Sequence, residues 1–578
     1  MFKLIRYLKP FKKQVILGPI FKLMEAIFEL IVPLVMARII DVGVHSRDVG
    51  YVLKMGGLMV LLGVVGLGCA LTCQYFAARA SQGVGTLLRN DLFAHIGKLS
   101  HSQIDSVGTA SLITRVTNDV NQLQVAVAML IRLVVRAPFL VLGAAVMAML
   151  LDLKLSLVFL AAVPLVALTL YLVMSRSTPF YKTIQKKLDK IALITRENLE
   201  GVRVIRAFSK QESEMERFDE ASGDLAKSAV RVGRISALLN PITYVIMNGA
   251  ILAILWFGGM RVQSGALMQG QIIAFVNYMT QILLALVVLA NLVVIFTKAA
   301  ASAARVNEIF AMEPSLTDRG NTQKSPVPGA PKIEFQDVSF SYYGKGQEEA
   351  LSHVSVSIPA GQTVGIIGGT GSGKSTLVNL IPRFYEATGG KILVDGVDVR
   401  DYPFEQLREQ IGMVPQRAVL FEGTIASNLR WAKEDAEEAE LMRVLDTAQA
   451  REFVDKLPEG LDTPVVQGGK NLSGGQKQRL TIARALVGGP KILILDDSAS
   501  ALDFATDAAL RRALKQDTKG MTVLMVSQRA ATVKGADQII VLDDGNVAGI
   551  GSHQELMDTC DVYREICLSQ LSAEEAVQ

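Results

Sequence analysis

Six apolar stretches, each close to the roughly 20 residues needed to cross the hydrocarbon of a bilayer, crowd the first half of the chain, at 15–40, 53–76, 125–150, 155–174, 242–260 and 272–296. Helices buried inside a soluble domain rarely reach that length so often. The pattern therefore predicts a membrane α-helical bundle of six transmembrane helices. With 50% of its 578 residues hydrophobic, the chain is too long for one core and too apolar for a pair of soluble domains. Its net charge of +4 is small for that length, which suits basic loops beside a membrane and gives no reason to expect nucleic acid.

Basic residues set the expected orientation. The opening segment MFKLIRYLKPFKK carries five Lys and Arg, and the stretch 176–234 is rich in both, so these sides are expected in the cytoplasm. The short links near 41–52, 151–154 and 261–271 then face outside. The first apolar run is too long for a cleavable signal peptide and lacks a small-residue cleavage site, so the opening segment reads as an interfacial helix. Roughly 45 and 65 residues of charged, periodic helix separate spans two from three and four from five, and each arm would run about 30 Å or more into the cytoplasm.

Ionisable residues inside spans are costly in lipid and usually face a cavity or a partner. Lys22, Glu25 and Glu29 fall at i, i+3 and i+7, on one face of the first span. Glu25 and Glu29 are candidates to line a translocation cavity that attracts cationic amphipathic compounds; a structural Lys22–Glu25 pair is the competing reading. Asn277 and Gln281, with Asn291, either offer hydrogen bonds to cargo from the sixth span or join helices. Arg132 and Arg136, one turn apart, read as snorkelling to headgroups. Cys69, Cys73, Cys560 and Cys567 have no metal-ligand company and read as packing residues.

The second half carries chemistry. An apolar strand, TVGII at 363–367, runs into Gly368, Gly369, Thr370, Gly371, Ser372, Gly373, Lys374, Ser375 and Thr376 and then into an apolar helix. Glycines at this spacing let backbone N–H groups close around phosphates, Lys374 reaches the β/γ oxygens, and the Ser375 hydroxyl holds Mg²⁺. This half binds a nucleotide.

Downstream come LSGGQ at 472–476 and the apolar strand of KILILDDSASALD at 491–503, which ends in Asp496 and Asp497. Together with Gln416 in MVPQ and Tyr342 in FSY, these motifs span roughly 333–568 in an order that resembles the α/β P-loop ATPase module of ABC transporters. The resemblance implies ATP and Mg²⁺ as ligands. It places Tyr342 against adenine, makes Asp496 the Walker B aspartate, and gives Ser375, Gln416 and Asp496 the metal. It gives Ser473, Gly474, Gly475 and Gln476, with Asp503 of SALD at 500–503, to the ATP site of a second module. The whole chain resembles half of an exporter: a six-helix membrane domain at 1–310, a Pro- and Gly-rich linker at 311–331, and a nucleotide-binding domain at 332–578. By the same resemblance, coupling helices that dock on nucleotide modules are expected near 101–107 and 198–204.

Two positions depart from the family pattern. Asp497 stands where a catalytic glutamate is usual, and Gln528, in VSQR, replaces the switch-loop histidine. A carboxylate one methylene shorter holds an attacking water less well, and a neutral amide supplies no proton. With Asp497, Gln528 and Gln416 as the catalytic positions, slow hydrolysis is expected at this chain's own site. The resemblance is then closest to the degenerate-site subunit of bacterial heterodimeric multidrug exporters. It implies ATP-driven export of amphipathic, drug-like or lipid-like compounds across the cell membrane, beside a second half-transporter that keeps the glutamate and histidine. A homodimeric lipid or peptide exporter and a nucleotide-gated channel or sensor are the alternatives.

Overall fold

The computed structural model describes residues 2–318, 325–342, 344, 346–498 and 502–570. The chain divides into two compact units, 1–97 with 108–312 and 98–107 with 313–578.

The first unit is all helix. After a 3₁₀ turn at Phe2–Phe11 come α1 (Lys12–Arg38) and α2 (Val49–Ile96), with α3 (His101–Val107) given over to the second unit. Then follow α4 (Thr109–Thr114), α5 (Val120–Arg132), α6 (Arg136–Leu151), α7 (Leu153–Glu200), α8 (Val202–Ala207), α9 (Gln211–Ala237), α10 (Leu239–Gln263) and α11 (Gln269–Ala311). Among the described residues, five helical stretches are long and apolar enough to cross a membrane: 49–96, 109–151, 153–200, 211–263 and 269–311. The sixth span is α1. Its 27 residues reach about 40 Å, but Lys22, Glu25 and Glu29 make it less apolar than the others. Helices α2 and α7, at 48 residues each, run about 70 Å, more than twice the hydrocarbon thickness, which gives the expected arms. Exposed Leu53, Val60, Leu67 and Leu71 on α2 form the kind of apolar surface that lipid covers.

Several charges inside this unit are paired. Lys22 Nζ lies 2.5 Å from Glu25, and Arg136 Nη2 lies 2.6 Å from Glu29. Arg136 thus turns to Glu29 of α1 and not, as expected, to headgroups: a carboxylate in the bundle stabilises it more than a long reach to the interface. Asp152 caps α7 by accepting from Leu155 N at 2.8 Å and also pairs with Arg261 at the end of α10. The expected span 125–150 is interrupted at 133–135, between α5 and α6. Pro138 has no N–H to offer the Val134 carbonyl, which removes one rung of the helix ladder there. Close approach tightens the bundle at Gly143, where a Cβ would stand 2.5 Å from Leu30 Cδ1. Tyr278, fully buried, donates its hydroxyl to Leu30 O at 2.7 Å.

The arms pair antiparallel. Lys187 meets Asp224 at 3.4 Å and Arg217 meets Glu197 at 2.9 Å, linking α7 to α9 with exposed pairs that fix register more than they stabilise.

The second unit has β1 (Ile333–Phe340), β2 (Leu351–Ile358), β3 (Thr363–Gly368), β4 (Gly389–Val394), β5 (Val397–Asp398), β6 (Ile411–Val414), β7 (Gly423–Thr424), β8 (Pro464–Val465), β9 (Ile492–Asp496), β10 (Thr522–Val526), β11 (Gln538–Asp543) and β12 (Asn546–Gly551). Its main sheet runs β12-β11-β3-β10-β9-β6; the inner pairings are parallel and β12 is an antiparallel edge. Strands such as ILILD and TVLMV are buried along their whole length and mostly apolar because helices cover both faces. An antiparallel sheet, β2-β1-β4-β5, packs beside it. Helix α3 belongs here: its His101 ring lies 4.9 Å from that of Phe384, and Tyr385 OH donates to Asp105 at 3.3 Å.

Asp119 is fully buried, accepting from Ser302 Oγ at 2.9 Å and Arg305 Nε at 2.8 Å on α11. Replacing it strands those donors. Asp119→Ala is expected to destabilise the membrane unit by about 1–3 kcal/mol, with Asp119→Asn recovering part through Ser302. Thermal unfolding in detergent measures this, and an unchanged midpoint for Asp119→Ala would show that the cluster carries no stability.

Candidate functional site

Four neighbouring strand ends build the site. In the order β3-β10-β9-β6, register is tight: Val526 pairs with both Ile366 and Asp496, and Val414 pairs with Leu495. Because these strands are parallel, their carboxyl ends share one edge, the place where open α/β sheets bind ligands. The phosphate loop leaves β3, Ser527 and Gln528 leave β10, Asp496 and Asp497 end β9, and Gln416 lies two residues beyond β6.

These residues line one pocket of about 330 Å³, with Tyr342, Thr370, Gly371, Gly373, Lys374, Ser375, Thr376 and Val526. Three lining residues, Ala350, Val526 and Ser527, were not among the candidate residues, although the last two belong to VSQR. The place of Ser527 beside Gln528 was a usable signal; Ala350 belongs to no motif. Gly368, Gly369 and Ser372 complete the loop: the Lys374 ammonium donates to the Gly368 and Gly369 carbonyls and to Ser372 Oγ. Gly373 has φ 91°, and a Cβ there would meet Ala350 O at 2.6 Å, so no other residue fits.

Ser375 Oγ donates to Asp496 Oδ1 at 2.9 Å. Gln416 Nε2 donates to Asp497 Oδ2 at 3.4 Å. Asp497 sits at φ 45°, a left-handed conformation that Asp adopts more readily than most residues, and its N–H donates to Val526 O at 3.0 Å. Tyr342 OH bonds Thr376 Oγ1 at 2.9 Å, and its ring meets Phe340 and Tyr385 edge-on at 4.8 and 5.3 Å.

Charge is crowded here. Burial pushes the Lys374 ammonium below its usual range, with Asp497 and Asp496 pulling it back. Burial pushes the Asp496 carboxyl up, the Asp497 charge adds to that, and the Ser375 bond and Lys374 oppose it. Two carboxylates against one ammonium call for a further cation. The hydroxyl, carboxylate and amide oxygens of Ser375, Asp496 and Gln416 are hard donors of the kind Mg²⁺ takes, with phosphate oxygens filling the remaining positions.

Other expected residues lie elsewhere. Ser473 and Gln476 close on each other in a capping box that starts the helix Gly474–Leu486: Ser473 N donates to Gln476 Oε1 at 2.8 Å and Gln476 N to Ser473 Oγ at 3.3 Å. Gly474 and Gly475 are the first residues of that helix, and none of the four lines the pocket. Asp503 caps the helix Phe504–Asp517 by accepting from Thr506 N at 2.8 Å; Ser500 and Ala501 lie outside the described residues. In the membrane unit, Gln281 Nε2 donates to Glu29 O at 3.2 Å and Asn277 Nδ2 to Ile273 O at 2.9 Å.

Residues 15–286 match the family model for the ABC transporter transmembrane region, and residues 351–500 match that for ABC transporter. The chain is 39% identical over 574 residues to an uncharacterized ABC transporter ATP-binding protein, YfiB, of Bacillus subtilis, covering 99% of each. It is 32% identical over 578 residues to an ATP-dependent lipid A-core flippase of Chromobacterium violaceum, covering 99% of this chain and 98% of the relative. It is also 32% identical over 582 residues to a putative multidrug export ATP-binding/permease protein, YgaD, of Bacillus subtilis, covering 98% of each. A solved structure of a bacterial Atm1-family ABC exporter with ATP bound superposes with a TM-score of 0.79 at 25% identity, covering 97% of this chain and 99% of that one.

Gly373→Ala is expected to weaken nucleotide binding about tenfold or more, because strain and the clash at Ala350 displace the loop. Titration with a fluorescent ATP analogue measures it; undiminished affinity would show that the loop tolerates a side chain there.

Proposed function

The chain belongs to the ABC transporter family as a multi-pass membrane half-transporter that hydrolyses ATP with Mg²⁺ and works as a dimer, and on that premise we propose that it exports amphipathic compounds as the slow-site half of a heterodimer. One observation supports the slow site: Asp497 and Gln528 line the pocket, at the two positions where the family pattern has a glutamate and a histidine.

In this reading the backbone N–H groups of 369–376 and Lys374 hold the phosphates, and Tyr342 supports the base. Ser375, Asp496 and Gln416 would hold Mg²⁺, which when bound would offset phosphate charge. Asp497, braced by Gln416, orients the attacking water from one methylene too far back, and Gln528 donates a neutral hydrogen bond to the γ-phosphate. Positioning dominates phosphoryl transfer, so binding persists while turnover slows. Ser473–Gln476 and Asp503, standing outside this chain's pocket, complete the site built on the partner's Walker motifs.

The cargo reading rests on named relatives and on charge. The lipid A-core flippase and the putative multidrug exporter both point to molecules with apolar bodies. Pairing of Glu29 with Arg136 and of Glu25 with Lys22 leaves this face without net charge. That favours amphipathic compounds in general over cations alone, with Gln281 and Asn277 as polar neighbours. The N-terminus and the nucleotide domain are assigned to the cytoplasm, where ATP is.

With the second half-transporter's catalytic glutamate changed to glutamine, so that turnover reports this chain's own site, Asp497→Glu is expected to raise ATP turnover of the purified assembly about tenfold or more. An unchanged rate overturns the slow site. Purifying the tagged chain from its native membrane should recover an equimolar second half-transporter that carries the glutamate and the histidine. Recovery of this chain alone, as a dimer, would overturn the heterodimer and leave Asp497 and Gln528 working at both sites.

A further inference from the structure

The loop that carries Gln528 is gripped by the C-terminal helix. That helix, Asp561–Gln570, lays buried Tyr563 and Cys567 on a cluster with Ile367, Ala530, Val533 and Ile539. Gln570 stands seven residues after Tyr563 and three after Cys567, on the same helix face, so packing carries its side chain to the loop. There the amide makes two bonds of opposite sense. Nε2 donates to Gln528 O at 2.8 Å, and Oε1 accepts from Ala530 N at 2.9 Å.

The two bonds bracket Arg529. Its N–H donates to Ser527 Oγ at 3.0 Å, and its guanidinium lies 5.4 Å over the Phe504 ring, in the residue after Asp503. Ser527 N in turn donates to Ile366 O at 3.0 Å, in the strand that feeds the phosphate loop. The loop is thus tied on one side to the sheet and on the other to the C-terminal helix.

We propose that Gln570 is a positioning residue for ATP hydrolysis, its amide fixing the backbone on both sides of Arg529 so that Gln528 stays aimed at the γ-phosphate and Arg529 at the helix capped by Asp503. Only glutamine offers this length with both a donor and an acceptor. Glutamate keeps the acceptor but sets a carboxylate against the Gln528 carbonyl, and methionine keeps the length with neither group. Gln570 does not line the nucleotide pocket, so its loss acts on kcat and leaves ATP binding alone. The inference rests on ATP hydrolysis by this family and stands apart from the slow-site reading.

The test uses the full chain in its native assembly, any second half-transporter carrying glutamine in place of its catalytic glutamate so that turnover reports this chain's own site, with native Asp497 and in the Asp497→Glu background. Gln570→Met and Gln570→Glu are expected to lower kcat about threefold to tenfold, the range for a lost neutral hydrogen bond, with KM for ATP nearly unchanged. Hydrogen exchange in a peptide covering 527–534 should quicken, while β3 and β10 keep their protection. An unchanged kcat in both backgrounds overturns the proposal. So does a rise in KM equal to the fall in kcat, or exchange quickening throughout the domain, since either marks a merely structural role. A fall in kcat with native Asp497, beside an Asp497→Glu change that accelerates nothing, would sink the slow site and leave the clamp standing.

Discussion

The nucleotide unit depends on the insertion of β10 between β3 and β9. Its backbone bonds both neighbours in register, and that register brings residues from four distant parts of the sequence to one sheet edge. A slip of one residue would turn every side chain of TVLMV to the other face and displace Ser527 and Gln528 from the phosphate loop. The interior is apolar on both sides, so the cost of such a slip is large and the edge is well defined. The chemistry then draws on side chains carried at or just beyond those strand ends.

The membrane unit answers a different constraint. Lipid cannot solvate charge, and inside the bundle Glu29 of α1 pairs with Arg136 of α6, while Asp152 with Arg261 and Asp119 with Arg305 join helices beyond the ends of the apolar spans. These pairs also fix helix rotation, since an unpaired carboxylate in the bundle would cost far more than a misplaced leucine. Apolar packing supplies contact, as at Gly143 against Leu30, while the polar pairs select one arrangement among many of similar apolar fit.

Much of this was legible in the sequence because it depends on local rules. Span length and the spacing of glycines around Lys374 are set by bilayer thickness and phosphate geometry, so residue order alone exposes them. The capping role of Asp503 and the Ser473–Gln476 box also follow local spacing, yet the family motif drew attention to their nucleotide role and hid the structural one. Long-range pairings were not legible. Arg136 reads as an interfacial arginine until α1 places Glu29 beside it, 107 residues away in the chain. The break between α5 and α6 was signalled by Pro138, but Pro33 and Pro164 lie inside unbroken helices, so proline alone could not decide. Gln570 belongs to no motif; only the packing of Tyr563 and Cys567 reveals where it points.

The closed hydrogen-bond ring of Ser473 and Gln476 has a thermodynamic consequence. A signature loop already folded before it meets a partner loses little conformational freedom on docking. Association of two such modules around ATP should then resemble rigid-body closure, with a modest heat-capacity change set by the apolar area covered and without the large signature of coupled folding. On the proposed reading, the phosphates would then supply much of the strength of closure, and cleaving one would weaken it.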